Sequence, residues 1–514
     1  MQTREKINPR DGSLKSMWQQ HEVVSVFAPP SLSPDTYDVL IVGAGITGIT
    51  TALLLQQEGK RCVVVEANTV GFGTTGGTSA HLNTFFDATY PDVESDFGSE
   101  GAKLLARAGK ESFELIKSLV NALSIECDLQ EKPAILYAET EKQAKQLEDI
   151  LVSNNNVGVE TTESADNKIP VDFIKALRIE GQGQFHPIKY LNGLVKEFLR
   201  LGGIIYENAM LSQSTFEDGI HIAKIPGKPA IQAKHLVYAT HIPPGINLFN
   251  FKCAPYRSYV IAVLLRDEVY PQELIYDMQE PYHYFRTHTI DGKTMLLIGG
   301  EDHKTGHGNA EESFERLIAY ANEYFDVAEV VYQWSSQYYV PTDGLPYIGL
   351  SPSGADTYVA TGFNGNGMMF GTISGRMIAD QIMGYESPYE KLFNPSRIKP
   401  VAGFTEFVRE NADVAYHFVK DRFAIDEVDS LNVIPSDSGE IIEYKGEKLA
   451  VYKDRDGKVY VLSPVCTHAG CFVKWNNAEK SWDCPCHGGR YDKYGNVLTG
   501  PPQMALNTIF PEDS

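Results

Sequence analysis

The chain has 514 residues, 43% of them hydrophobic, enough for large cores in two or three domains. Its formal charge of −22 argues against a nucleic-acid partner, because neutralising a phosphate backbone needs clustered Lys and Arg. The opening MQTREKINPRDGSLKSMWQQ lacks the apolar core of a secretory signal, and no run reaches the roughly 18 apolar residues of a membrane-spanning helix, so a cytoplasmic protein without a transmembrane segment is expected.

Residues 1–35 read as an N-terminal extension. The first informative stretch is YDVLIVGAGITGITTALLLQQEGKRCVVVEAN, residues 37–68. An apolar run enters a GxGxxG turn at Gly43, Gly45 and Gly48, with Ile46 and Thr47 opening a helix whose apolar positions include Ile49, Ala52, Leu53 and Leu55. Gly59 ends that helix, and a second apolar strand delivers Glu66 at its end. The glycines let the backbone approach a pyrophosphate at the helix N-terminus, and the acid can accept both ribose hydroxyls. A lone GxGxxG is weak evidence and a bare Glu is usually solvated. Strand, glycines, helix, strand and acid in this order read as a dinucleotide site.

The acid disfavours a 2′-phosphate, so FAD or NAD fits better than NADP. No second copy of the unit occurs, although enzymes that take hydride from NAD(P)H and also hold FAD commonly carry two. GFGTTGGTSAHL (71–82), with Thr74 and Thr75, suits wrapping a cofactor. KHLVYATH (234–241) is a strand ending in a small-residue turn at Thr240. In TYVATGFNGNGMMFGTISGRMIADQI (357–382) a strand runs into Gly362, Asn364, Gly365, Asn366, Gly367 and Met368, then a helix whose N-terminal amides can face the electron-rich edge of a flavin.

On these segments, with FHPIKYLNGL (185–194), LGGIIYEN (201–208), CAPYRSYVIAV (253–263) and MLLIGGEDHKTG (295–306), residues 36–390 resemble the D-amino-acid oxidase/glycine oxidase superfamily of FAD-dependent oxidoreductases. The resemblance implies a Rossmann-like FAD-binding domain interleaved with a β-rich substrate domain. It also implies oxidation of a C–N bond in a small amine or amino acid by hydride transfer to flavin. On the substrate strands Tyr256, Arg257, His283, Tyr284 and Arg286 are candidates, with Arg286, Tyr256 and His283 assigned as catalytic; an Arg there can clamp a carboxylate bidentately. The plain alternative for each is a residue on a strand edge. In some relatives a His in the loop matching 71–82 carries the flavin covalently; here Gly77 stands nearest to it, so non-covalent FAD is expected. His81, His186 and His241 read as structural histidines, and Cys62, Cys127 and Cys253 as packing residues.

Residues 391–428 read as a linker containing a helix, FTEFVRENADVAYHFVKDRF (404–423). From 429 to 514 short alternating strands carry two loops, CTHAGC (466–471) and DCPCHGGRYD (483–492). Zinc is the plain reading. Yet four Cys and two His exceed one tetrahedral ion, and Cys-x-His is closer than usual zinc spacing. The alternative is a [2Fe–2S] cluster held by Cys466, His468, Cys484 and His487, one Cys and one His from each loop.

This constellation resembles the Rieske domains, and GPP (500–502) matches their cluster-shielding loop. The resemblance to their disulfide-bearing branch implies a Cys471–Cys486 bridge. CHGGRYD compares with CHGSxYD in the high-potential members. Tyr491 is kept as a hydrogen-bond donor to a ligand sulfur, while Gly489 stands where a donor serine would be. The expected fold is thus α/β plus β: an FAD domain, then a small all-β Rieske domain. With WSSQYYVPTDGLPYIG (334–349) and WNNAEKSWDCPCHG (475–488), this order resembles soluble flavoproteins related to γ-glutamylputrescine oxidase. The expected activity is amine or amino-acid dehydrogenation at FAD, with electrons passed singly through the cluster to a quinone, cytochrome or ferredoxin-like acceptor. The rival readings are a Rieske-fed flavin reductase or monooxygenase, and a redox sensor whose cluster gates partner binding.

Overall fold

In the computed structural model, which describes residues 10–20, 36–398 and 434–509 with single positions 417, 428 and 431, the first unit forms as its pattern dictates. Strand Tyr37–Val42, helix Ile46–Gln57 and strand Cys62–Val65 follow one another, and the two strands pair in parallel. The glycines are forced by close approach. Gly43 has φ +108°, and a Cβ there would lie 2.4 Å from the Ala239 carbonyl oxygen; one on Gly48 would lie 1.9 Å from the carbonyl oxygen of Gly43. Only Gly fits both places.

Around this unit an eight-stranded sheet runs Tyr347–Leu350, Thr357–Thr361, Ile231–Tyr238, Tyr37–Val42, Cys62–Val65, Ile204–Tyr206, with a hairpin (Gln213–Glu217, Ile220–Lys224) on the third of these. Val39, Leu40, Ile41, Val63, Val64 and Val65 are fully buried, as a strand covered on both faces requires. The long helix Gly367–Met383 packs on Ile46–Gln57: a Cβ on Gly375 would meet Thr50 at 2.8 Å.

A second, nine-stranded sheet is built from chain segments interleaved with the first, including Cys253–Leu265, Tyr284–Ile290, Lys293–Lys304 and Val327–Pro341. The C-terminal domain has a three-stranded sheet (Ser438–Tyr444, Glu447–Lys453, Val459–Leu462) and a four-stranded sheet (Lys474–Asn476, Ser481–Asp483, Arg490–Asp492, Val497–Thr499), both antiparallel. No helix among the described residues is long and apolar enough to cross a membrane. The expected helix 404–423 lies outside the described residues, apart from His417.

The extension is more than a tail. Arg10, Asp11, Ser16, Met17 and Trp18 are buried. Trp18 Nε1 donates to the Thr78 carbonyl and Ser16 Oγ to that of Gly76, both at 2.6 Å. Arg10 reaches the C-terminal domain, where Nη2 lies 3.0 Å from Glu479 Oε1. Arg257 of the nine-stranded sheet approaches the same oxygen at 3.4 Å, and Ser335 N donates to it at 3.1 Å. Three segments distant in sequence meet on one fully buried carboxylate.

Candidate functional site

Between the two large sheets lies a cavity of about 600 Å³. Of the residues expected to hold FAD, Gly43, Gly45, Ile46, Thr47, Glu66, Thr74, Thr75, Thr240, Asn364, Gly365, Asn366, Gly367 and Met368 all line it. Gly48 and Gly362 do not: Gly48 serves strand–helix packing, and a Cβ on Gly362 would lie 3.2 Å from Cys253 Sγ.

The wall near Glu66 suits a dinucleotide. Helix Ile46–Gln57 has no side-chain cap at Gly45, so free N–H groups open on the cavity. Glu66 is held by backbone donors, Ala44 N at 2.9 Å and Asn68 N at 2.8 Å. Thr75 Oγ1 accepts from Ile46 N at 3.1 Å, tying the 71–82 loop to the helix start. Gly77 also lines the cavity, and a Cβ there would sit 2.8 Å from Ser336 Oγ. No larger side chain fits that point without movement.

Across the cavity the nine-stranded sheet contributes Ser258, Tyr276, Tyr284 and Tyr338. Tyr284 is the one substrate-side candidate that reaches this wall. Arg286 does not. It is fully buried, and its guanidinium is spent on the carbonyls of Ser79 (2.8 Å) and Ala80 (2.7 Å) and on His288 Nδ1 (2.8 Å). Burial lowers its pKa to about 9. His283 stacks on Tyr320 at 4.2 Å, with Nδ1 2.7 Å from Asp277 Oδ2. Tyr256 packs against the Tyr338 ring at 6.0 Å, and neither Tyr256 nor His283 lines the cavity. Arg257 faces Glu479. Arg286, Tyr256 and His283, assigned as catalytic from the sequence, thus stand off the cavity wall: Arg286 and Tyr256 share strand faces with Tyr284 and Ser258 but sit two residues along from them, and only His283 has the opposite parity from Tyr284. His81 and His241, read as structural, do line the cavity, and burial drives their pKa values down to about 3 and about 4.

The two cysteine loops meet beside this cavity. Cys471 and Cys486 form a disulfide. The sulfurs of Cys471, Cys484 and Cys486 lie within 4.8 Å of one another, but the bridge consumes two of them, so this trio is not a ligand set. What is left is Cys466 and Cys484 as buried free thiols, and His468 and His487 with ring centroids 4.9 Å apart. Nδ1 of both histidines is buried without a hydrogen-bond partner. Two free thiols and two uncommitted imidazole nitrogens fit a two-iron cluster with one Cys pair and one His pair. Tyr491 Oη lies 3.2 Å from Cys466 Sγ.

The C-terminal domain also walls the cavity, through Thr499, Gly500, Pro502 and Gln503. Pro502 stands between cavity and cysteine loops: a Cβ on Gly489 would lie 2.8 Å from Pro502 Cδ and 3.6 Å from Cys466 Sγ. Strand Val327–Pro341 serves both sides. Ser336, Gln337 and Tyr338 line the cavity, while Ser335 and Tyr339 bond Glu479 and the His487 carbonyl (3.3 Å) and the Gln337 side chain also reaches the Gly488 carbonyl (2.9 Å).

The fold and site define a two-centre flavoprotein, and comparisons with known proteins agree. The FAD dependent oxidoreductase family model matches residues 38–381, and the Rieske [2Fe-2S] domain model matches residues 424–510. The chain belongs to the FAD-dependent oxidoreductase family and carries a C-terminal Rieske domain, so its cofactors are FAD and a [2Fe–2S] cluster. It is 33% identical over 486 residues to YhfW of Bacillus subtilis, named as a Rieske 2Fe-2S iron-sulfur protein, covering 93% of this chain and 95% of that one. Gamma-glutamylputrescine oxidoreductase of Escherichia coli is 24% identical over 410 residues, covering 76% and 94%. Glycine oxidase from Geobacillus kaustophilus shares the fold of the flavin part, with TM-score 0.60 at 21% identity over 71% of this chain and 99% of that one.

Proposed function

We propose that the protein is an FAD-dependent dehydrogenase that oxidises a C–N bond of a small amine or amino acid and passes the electrons singly through its Rieske cluster to an external acceptor, a quinone, cytochrome or ferredoxin-like protein. When bound, FAD accepts two electrons as hydride and the cluster carries one at a time. One observation carries the reading. Gly500 and Pro502 line the flavin cavity while Pro502 abuts the turn that bears His487 and Gly489, so one residue touches both the cavity and the cysteine-loop turn.

On this reading Glu66 holds the ribose, the 43–47 amides hold the pyrophosphate, and Cys466, His468, Cys484 and His487 hold the iron. The sheet residues Ser258, Tyr284 and Tyr338 orient the substrate, and the Pro502 loop keeps water out between the two centres. His468 Nε2 donates to the Gly245 carbonyl at 3.2 Å, so the flavin domain itself covers one edge of the cluster site. The test is anaerobic mixing with a panel of amines and amino acids, watched at flavin and cluster wavelengths. Flavin bleaching followed by cluster bleaching is expected. Cluster and flavin reduction by ferredoxin alone, with no response to any amine or amino acid, would instead support the reverse electron flow.

A further inference from the structure

Resting on that dehydrogenase reading, we propose that the substrate is an amine bound as a cation, with no carboxylate at its reacting end, and that Asp302 takes its proton through the hydroxyls of Tyr338 and Ser258. The substrate-sheet end of the cavity is a group of rings, Phe85, Tyr276, Tyr282, Tyr284 and Tyr338, and none of the described residues that line the cavity is Lys or Arg.

The rings pack against one another along this end of the cavity wall. Phe85 and Tyr276 have centroids 5.2 Å apart, Tyr282 and Tyr284 5.8 Å, and His81 stands 5.4 Å from Tyr276 and 5.5 Å from Tyr284. Ring faces attract a desolvated ammonium group. A carboxylate in the same place would shed its water and meet no cation, which is strongly unfavourable. The nearby arginines are spoken for: Arg286 on carbonyls of the 79–80 turn, Arg257 on Glu479. The histidines that line the cavity are held neutral by burial.

Asp302 lies behind the cage. Tyr338 Oη donates to its Oδ2 at 2.7 Å, Ser258 also bonds it, and its Oδ1 is buried without a hydrogen-bond partner. Ser258 Oγ in turn lies 3.0 Å from Tyr284 Oη. Three cavity hydroxyls thus connect to one buried carboxylate, whose other titratable neighbours are Asp87 and His283. Burial pushes the Asp302 carboxyl up to about 7, a value suited to accepting a proton near neutrality. The balance is complete. The ammonium N–H proton moves to Asp302 by way of a hydroxyl, the neutral amine lends its lone pair as the adjacent C–H pair departs as hydride to the flavin, and the iminium product takes up water to give a carbonyl compound and an amine.

The experiment uses the holo-protein under anaerobic conditions with size-matched probes. Benzyltrimethylammonium, which cannot lose an N–H proton, should perturb the flavin spectrum saturably, and benzoate should not. Benzylamine should bleach the flavin faster than phenylglycine does. Equal or tighter binding of benzoate, faster bleaching by phenylglycine, or no perturbation by the quaternary ammonium would each overturn the proposal. Phenylglycine bleaching the flavin faster than benzylamine does, and then the cluster, would do so while leaving the dehydrogenase reading intact. Amine bleaching of a flavin that never reduces the cluster would sink that reading alone. Asp302→Asn should slow amine-driven bleaching about 100-fold while flavin content and quaternary-ammonium affinity hold. An unchanged rate, or a loss of affinity as large as the loss of rate, would remove Asp302 from the proton route.

Discussion

Tyr339 donates its hydroxyl to the carbonyl oxygen of His487 at 3.3 Å while its ring meets His241 edge-on, 4.7 Å between centroids. His241 lines the flavin cavity and His487 is a candidate iron ligand, so one side chain touches both sites. Gln337 runs beside it, its carbonyl accepting from Thr74 Oγ1 at 2.9 Å and its side chain bonding Gly488. The double variant Gln337→Leu/Tyr339→Phe removes bonds to the loop that carries the ligands, each worth about 1 kcal/mol, and keeps most of the packing. Stopped-flow mixing should show flavin bleaching by substrate unchanged and the later cluster bleaching slowed. Equal slowing of both phases would assign these residues to the substrate half-reaction instead.

The joint between the domains hangs on Glu479. Burial opposes its charge, yet Arg10, Arg257 and Arg490 outweigh burial and hold the carboxyl down at about 2. Glu479→Ala leaves Arg257 buried without a carboxylate and Arg10 with Asp11 alone, a change that costs about 3–5 kcal/mol in such settings. Limited proteolysis should then release the Rieske domain with its cluster signal retained, and flavin-to-cluster transfer should fail. Because the folded carboxyl titrates below its ordinary value, the wild-type contribution is whole above pH 4.5 and is lost as pH falls toward about 2. Domain release in the wild type on mild acidification near pH 6 would contradict this.

Much of this design was legible in local sequence. GAGITG, Glu66 and the two cysteine loops are fixed by short-range chemistry, since a pyrophosphate turn or a Cys-x-His loop carries its meaning within a few residues. The substrate wall was not legible, because the residues that form it come from strands far apart in the chain, and a strand residue faces the cavity or the core according to register. Arg286 looked like a carboxylate clamp and proved to be a buried brace for the 79–80 turn. The strap at Arg10–Trp18 was missed for the same reason. Its anchors, Glu479, Gly76 and Thr78, are distant in sequence, and nothing inside RDGSLKSMW announces them.

Glu66→Ala removes the acceptor expected to hold the ribose and also frees the amides of Ala44 and Asn68. Loss of a charge-assisted bond of about 1.5–3 kcal/mol loosens binding by one to two orders of magnitude. FAD content after gel filtration should fall while the cluster spectrum stays, because the iron loops draw nothing from Glu66. An unchanged FAD affinity would take Glu66 out of the ribose site.

The cluster potential should depend on Tyr491 more directly than on Gly489. Thr467 spends its hydroxyl proton on the Met504 carbonyl at 2.6 Å and its N–H on Tyr491 Oη at 3.0 Å. The buried phenol, its pKa driven up by burial, keeps its own proton to donate toward Cys466 Sγ at 3.2 Å. A donor at a ligand sulfur favours the more negative, reduced state, so Tyr491→Phe should lower the potential. If about 1 kcal/mol of that bond differs between oxidation states, the shift is on the order of 40 mV. Gly489→Ser is not the simple reverse that the CHGGRYD comparison suggests. A Cβ there lies 2.8 Å from Pro502 Cδ, so a serine must move the shielding loop as well as supply a donor. Gly489→Ala carries the same steric change without the hydroxyl, and the serine variant should therefore have the higher potential of the two. Redox titration followed by EPR measures all three. A Tyr491→Phe potential equal to or above that of the wild type would mean the phenol gives its proton to Thr467 Oγ1, also 3.0 Å away, rather than to the sulfur.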